Sequence, residues 1–292
     1  MATLRDIQRR IRSVQSTQKI TRAMKLVAAA KLRRAQERIV SARPYATKMA
    51  ELLSHLVSGA EDAGHPLLEQ REGPRRQIVI ITADRGLAGA FNSNVLRRAT
   101  ELLRESSAGE ITLIVVGRKA RDFFRRRTFT VKRDMIGFWD RLTYAHAQEL
   151  ADYFMQQFLD HEVDEVFLIY NEFRSVAVQR VKRQQLLPIE ADAAEPGHGT
   201  AGGDYIFEPS PDAILASLLP RHVTTQVFRA LMESVAGEYG ARMTAMESAS
   251  KNAKEMIDVL TIQYNKARQE RITKELLDIV GGAEALRQTV EA

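Results

Sequence analysis

The sequence predicts an α/β protein in which two long terminal helices wind together as an antiparallel, left-handed coiled coil, with a Rossmann-like α/β domain between them in the chain. Three observations carry this. Both ends of the 292 residues keep apolar side chains at a three-four spacing. Of the 19 aromatic residues, 15 fall between 91 and 207. Between 77 and 187 short strand-like runs alternate with helical ones. The segments so defined are 1–58, 74–210 and 211–292.

Residues 1–58 hold no glycine and one proline, Pro44, and are rich in Ala, Arg, Lys, Leu and Gln, so they read as one helix. Thr3 stands where an N-cap belongs, and Asp6 three residues on suits the positive helix end. Leu4, Ile7, Ile11 and Val14 open a heptad seam that is expected to drift to Ile20, Ala23, Met24 and Val27. Ala28, Ala29, Ala30 and Ala35 are small enough to let another helix approach. Pro44 removes one backbone donor and should bend or break the helix. At ~1.5 Å per residue such a helix spans roughly 80 Å.

In the middle segment the strand-like runs are 77–83, 110–117, 128–136, 163–173 and 176–187, with helical patterns at 90–105, 118–126 and 142–160. Strand-helix alternation implies a largely parallel sheet with helices on its faces. Only Arg174 and Ser175 separate the last two runs, so these should form an edge hairpin. Residues 190–204, rich in Ala, Gly and acidic residues, read as a flexible surface loop.

After Pro220 no proline recurs. Met243, Met246, Ser250, Ala253, Ile257, Leu260, Tyr264 and Ala267 keep the three-four spacing, and the seam then slips to Ile272, Leu276, Ile279, Ala283 and Leu286. A 65-residue helix here would be roughly 100 Å long. Gly237 and Gly240 are its expected flexible points, and Gly281 and Gly282 weaken its last turns. Neither terminal helix can bury its apolar stripe alone; pairing with the other solves both, and a 3.5-residue seam makes the pair left-handed.

Composition narrows the function. The chain has no cysteine, which removes disulfides, thiolate metal sites and cysteine nucleophiles. No apolar run reaches the ~18 residues of a membrane span. Residues 1–43 carry twelve Lys and Arg against Asp6 and Glu37, a net of +10, while the other 249 carry −4. A basic arm on a near-neutral body points to an anionic partner: nucleic acid, lipid headgroups or an acidic protein surface. The turn Gly86-Leu87-Ala88-Gly89 fits neither phosphate-loop pattern and reads as a tight strand-to-helix turn, with Thr82, Asp84 and Arg85 capping and ion-pairing it. The six histidines lack ligand spacing, and no nucleophile elbow or carboxylate pair stands out. No catalytic, cofactor or metal site is therefore expected.

Three stretches carry a resemblance: IRSVQSTQKITRAMKLVAAAKLRRAQ (11–36), ITADRGLAGAFNSNV (81–95) and ARMTAMESASKNAKEMIDVLTIQYNKARQERITKELLDIVGGAEAL (241–286). In order and over the whole chain they resemble the gamma subunits of F-type ATP synthases. The resemblance implies a rotating central stalk whose paired helices stand inside a ring of three alpha and three beta subunits. The α/β domain would meet the epsilon subunit and the ring of c subunits, with membrane contact only through the membrane sector. Nucleotide chemistry would belong to beta.

By motif match, Arg268, Gln269 and Thr273, with Arg242, resemble the polar group meeting beta's catch loops. Met24 and Lys25 resemble the shaft face toward acidic segments of beta, which gives the basic arm a protein partner instead of nucleic acid. Ile279, Val280, Ala283, Leu286 and Val290 resemble a tip running in an apolar sleeve. Chloroplast relatives carry an inserted regulatory cysteine pair; without cysteine that control is excluded here. No transit peptide is visible, so the expected place is the cytoplasmic face of a bacterial inner membrane, held peripherally. Two other classes stay open on residues alone: an α/β enzyme using the 84–94 turn, and a basic coiled-coil nucleic-acid binder.

Overall fold

The computed structural model describes residues 3–59, 65–105, 111–127, 129–189 and 210–290; side chains at 50, 54–55, 57–59, 105, 211–212 and 284–290 are excepted. The predicted loop 190–204 lies outside the described residues. Contacts divide the chain into two compact units, one of residues 1–27 with 245–292 and one of residues 28–244. Helices α1 (Leu4–Gly59) and α5 (Pro211–Val290) each contribute to both.

In the 28–244 unit the strands are β1 (Arg76–Ile81), β2 (Ile111–Val116), β3 (Val131–Met135), β4 (Glu165–Phe173) and β5 (Gln179–Leu187). They form one sheet in the order β3-β2-β1-β4-β5, parallel except for β5. Between them lie α2 (Phe91–Glu105), α3 (Arg118–Phe124) and α4 (Tyr144–Leu159). The strand-helix alternation read from the sequence thus becomes a doubly covered parallel sheet.

Side-chain alternation explains the two faces. Ile78, Ile80, Leu113 and Val115 point to one face, against Val95, Ala99 and Leu103 of α2 and Phe124 of α3. Val79, Ile81, Ile114, Val116 and Leu168 point to the other, against Leu150, Phe154 and Phe158 of α4 and the long helices. Strands buried on both faces read as continuous apolar runs, as RQIVII and ITLIVV do.

The edge hairpin forms, but its turn is longer than expected. β5 begins at Gln179, so residues 174–178 make the connection. Ser175 holds it: its Oγ accepts from the Val178 amide at 3.2 Å, and the Gln179 amide group donates to the carbonyls of Ser175 and Val176. Val176 packs on the core instead of pairing in the sheet.

Within this unit α1 and α5 run antiparallel. Lys31 Nζ lies 5.4 Å from the Tyr239 ring centre. Further along α1, Tyr45 borders the same cavity as Pro220 and Thr224 of α5, so advance along one helix is retreat along the other. Helix α1 continues through Pro44 and α5 through Pro220, so neither proline breaks its helix. The apolar face around each site supplies the holding: Leu32, Leu53 and Leu56 of α1 and Leu219, Val223 and Val227 of α5 are all buried. Gly237 and Gly240 correct another expectation. They are close-approach positions, where a Cβ would stand 3.3 Å from Phe91 and 3.3 Å from the Val176 carbonyl.

The second unit is two helical segments. Leu4 to Val27 of α1 and Ala245 onward of α5 meet at Lys25 and Glu247, whose Nζ and Oε1 are 2.6 Å apart. That contact lies at the end of both segments, so only an antiparallel course keeps residues 4–24 beside residues 250–270. On α5 Met243, Met246, Ser250, Ala253, Ile257, Leu260, Tyr264 and Ala267 are covered as the spacing predicts, with Ala245 and Ala249 partly covered beside them, but the predicted continuation at Ile272, Leu276, Ile279 and Ala283 is exposed.

On α1 the seam does not drift. Covered positions run 4, 7, 11, 14, 18, 21, 25, 28, 32 and 35 in three-four steps, and Met24, Ala29 and Lys31 flank them partly covered, so of the predicted drift only Met24 is met. Gln18 and Thr21 occupy the register that apolarity alone had given to Ile20 and Ala23. Thr21 tolerates this because its hydroxyl donates to the Gln18 carbonyl at 3.0 Å. Ile20 and Val27 stay more than half exposed. The start of α1 is capped as expected: the Asp6 amide donates to Thr3 Oγ1, and the Thr3 amide and hydroxyl donate to Asp6 Oδ2. Those bonds hold the Asp6 carboxyl below its usual range.

Candidate functional site

Two kinds of site follow from these elements: exposed faces of the helical unit, and a polar cluster inside the α/β unit.

On the helical unit, covering of α5 ends at Ala267. Everything described beyond is exposed, and it is not polar throughout: Ile272, Leu276, Leu277, Ile279 and Val280 are between 44% and 68% exposed. Arg268, Gln269 and Thr273 lie exposed on the same stretch, so the structure brings these three together. Ala283 is exposed too, whereas the side chains of Leu286 and Val290 lie outside the described residues. Higher up, Met24 and Lys25 are half-buried, and Ile20, Leu26 and Val27 turn outward beside them. Met256, Val259 and Ile262 do the same on α5. Apolar surface of this extent on one helix pair is the mark of a face meant to be covered.

Arg242 stands apart from the other predicted residues. It belongs to the 28–244 unit, with its side chain only 12% exposed. It forms an ion pair with Glu238, one turn earlier, and its Nη2 donates to the Gly86 carbonyl at 3.0 Å. Around it the carboxyl ends of β1, β2 and β3 assemble a polar cluster. Asp84 is its hub: its two oxygens accept from the amides of Arg118 and Gly137 at 3.0 and 2.9 Å. Thr82 Oγ1 accepts from the Ala120 amide, and Asn92 Oδ1 from the Ala83 amide. Asn92 thus closes the turn itself, whereas Thr82 and Asp84, expected to cap it, instead hold amides at the start of α3 and at Gly137, and Arg85 ion-pairs with Asp140. Glycine at 117 is required there: φ is 91°, and a Cβ would lie 2.0 Å from the Thr82 carbonyl oxygen.

Asp140 links this turn to both long helices. It accepts from Lys31 Nζ at 2.6 Å and from the Tyr239 hydroxyl at 3.1 Å, and it faces Arg85 at 3.3 Å. The Lys31 hydrogen bond is the main reason its carboxyl sits below the usual range. Burial acts oppositely on Glu238 and pushes it up to about 7, against the pull of Arg242. Burial also raises the Tyr239 hydroxyl, with Asp140 and Glu238 adding to it. Sequence reasoning missed Lys31, Asp140, Glu238 and Tyr239. The signal for Glu238 was present: a carboxylate inside the run LMESVAGEYG, which packing buries on every side.

Comparison with known proteins places the chain. The ATP synthase family model matches residues 3–286. The ATP synthase gamma chain of Heliobacterium modesticaldum is 48% identical over 291 residues, covering 98% of this chain and all of that one. That of Anaeromyxobacter sp. strain K is 50% identical over 292 residues, with the same coverage. Among solved structures, the central stalk and c-ring of Tetrahymena thermophila mitochondrial ATP synthase has a chain 27% identical, with a TM-score of 0.60, over 79% of this chain and 99% of that one. A chain of the Euglena gracilis mitochondrial ATP synthase shares the fold at 22% identity and a TM-score of 0.71, over 99% of this chain and 96% of that one. Matched end to end at this identity, the chain belongs to the ATP synthase gamma chain family.

Proposed function

We propose that this chain is the rotating central stalk of a proton-translocating F-type ATP synthase, coupling proton flow through the membrane sector to ATP synthesis and hydrolysis at catalytic sites on the beta subunits. The observation that carries the reading is full-length identity of 48–50% to ATP synthase gamma chains. The chain itself would hold no catalytic site. Its partners would be the alpha and beta subunits, the epsilon subunit and the c ring, with no nucleic acid among them. It would sit peripherally at the cytoplasmic face of a bacterial inner membrane. No helix among the described residues is long and apolar enough to cross one.

The physical mechanism is differential binding. A shaft lacking three-fold symmetry touches each site of a three-fold ring differently, and each orientation favours a different set of site conformations. The helical unit suits that task. Arg268, Gln269 and Thr273 are exposed polar groups for beta's catch loops, and Arg242 would join them by leaving Glu238. Met24 and Lys25, with the outward Ile20 and Val27, would face beta. The apolar tip at Ile279, Val280 and Ala283, continued by Leu286 and Val290, would turn in an apolar sleeve, where contacts without directional hydrogen bonds favour no single angle.

Reconstitution tests this. The full chain alone should hydrolyse no ATP, and mixing it with alpha and beta subunits of a relative should yield a rotation-competent ATPase. Replacing Arg268 and Thr273 together by Ala should lower that rate severalfold without changing helix content. Hydrolysis by the isolated chain, or its failure to enter the alpha-beta complex, would count against the reading. Steeply salt-dependent affinity for DNA that outcompetes the subunits would favour the nucleic-acid alternative.

A further inference from the structure

At the carboxyl ends of β1, β2 and β3 the polar cluster encloses a cavity of about 190 Å³, lined by Asp84, Arg85, Arg118, Trp139, Glu238 and Arg242, with Gly137 and Asp140. Open α/β sheets take ligands at this edge. The volume falls below the ~300–1,000 Å³ of pockets that hold drug-sized molecules, so any occupant is small.

The hydrogen-bond inventory says what it must offer. Asp84 and Asp140 are already satisfied by the amides of Arg118 and Gly137 and by Lys31 and Tyr239. Trp139 is buried, and its indole Nε1 has no partner. The same holds for Arg242 Nε. Glu238 touches Arg242 as an ion pair, yet neither of its oxygens accepts a hydrogen bond. Each buried polar group left this way costs ~1–3 kcal/mol, so two donors and one carboxylate around a single cavity mark an incomplete set. Three guanidinium groups and three carboxylates line the cavity; Arg85 pairs with Asp140, Arg242 with Glu238, and both Asp84 oxygens are taken by backbone amides, which leaves the exposed Arg118 guanidinium to draw an anion. The missing group therefore accepts from N–H donors, carries negative charge, and still donates one proton to a carboxylate.

We propose that this cavity binds inorganic phosphate, a small oxyanion that keeps a proton. Its oxygens accept from Trp139 Nε1 and Arg242 Nε, and its hydroxyl donates to Glu238. Sulfate has no proton to give, so above about pH 8, where Glu238 is ionised, its carboxylate repels sulfate, and the two anions are compared there. The assignment stands on the cavity and shares with the shaft reading only Arg242, which stays beside Glu238 while phosphate is bound.

Trp139 is the only tryptophan of the chain, which makes it a reporter. Phosphate titrated into the full-length chain should change its emission saturably, while sulfate at matched ionic strength should bind at least tenfold more weakly. Glu238→Gln should abolish the discrimination, because the amide can donate to either anion. Arg118→Gln, at an exposed position that packing does not need, should weaken phosphate severalfold. A wild-type emission unmoved by phosphate at ten times a millimolar Kd would overturn the proposal, as would equal responses to phosphate and sulfate.

Discussion

Side chains of the same helices meet different fates in the two units. In the α/β unit, Leu219, Val223, Val227 and Leu231 of α5 are shut from solvent by sheet, α4 and α1 together. In the helical unit each segment has one neighbour. The buried residues there are Ile7, Thr21, Met246, Ala253 and Leu260, while Ile20, Leu26, Ile262 and Leu277 remain in solvent. A two-helix seam buries one stripe and no more. The first unit can be a self-sufficient core; the second carries apolar surface that only further chains can cover.

That difference sets the size of the expected effects. Phe154 is fully buried, so Phe154→Ala should cost about 3–5 kcal/mol, read as a lower denaturant midpoint of the whole α/β unit. Glu238 should give the next largest effect through pH. Its folded-state pKa of about 7 lies above the ordinary 4.5, so its contribution to stability is full below about pH 4.5 and is lost as pH rises through about 7. Between pH 5 and 8 the wild type should therefore lose roughly 1–3 kcal/mol more than Glu238→Gln, measured by urea titration at each pH.

In the helical unit, Leu260→Ala should cost only about 1–2 kcal/mol, because its surroundings are already half open. Hydrogen exchange should quicken near residue 260 and leave β1 to β4 unchanged. A global loss would mean the two units unfold as one and would erase the contrast. Smallest of all, Glu275→Gln breaks an exposed i,i+4 pair with Arg271 at 2.7 Å and should change stability by less than about 0.5 kcal/mol.

Legibility in the sequence follows the same divide. The sheet and its helices were readable because parallel strands buried on both faces leave continuous apolar runs, and because the period changes between them. The α5 seam was readable from spacing as far as Ala267, but its expected continuation at Ile272, Leu276, Ile279 and Ala283 lies exposed, because no second helix covers it among the described residues. What escaped was polar: Gln18 and Thr21 keep the α1 register although neither is apolar, so following apolarity led off the seam to Ile20 and Ala23. Glu238 and Asp140 escaped for a related reason. Glu238 has its partner Arg242 at i+4, but nothing local shows that the pair is buried, and the partners of Asp140, Lys31 and Tyr239, meet it only in the folded chain. Gly237 and Gly240 looked like flexible points until the edge hairpin was seen pressing against them. Arg242 matched a binding motif, yet its ion pair turns it inward.

Hydrogen exchange over residues 268–283, compared between the free full-length chain and the same chain reconstituted with alpha and beta subunits, tests most directly whether the exposed face of α5 is made for a surrounding ring. The account predicts rapid exchange in the free chain and strong protection in the assembly, with β1 to β4 protected alike in both. Equal exchange over 268–283 in the two states would contradict it.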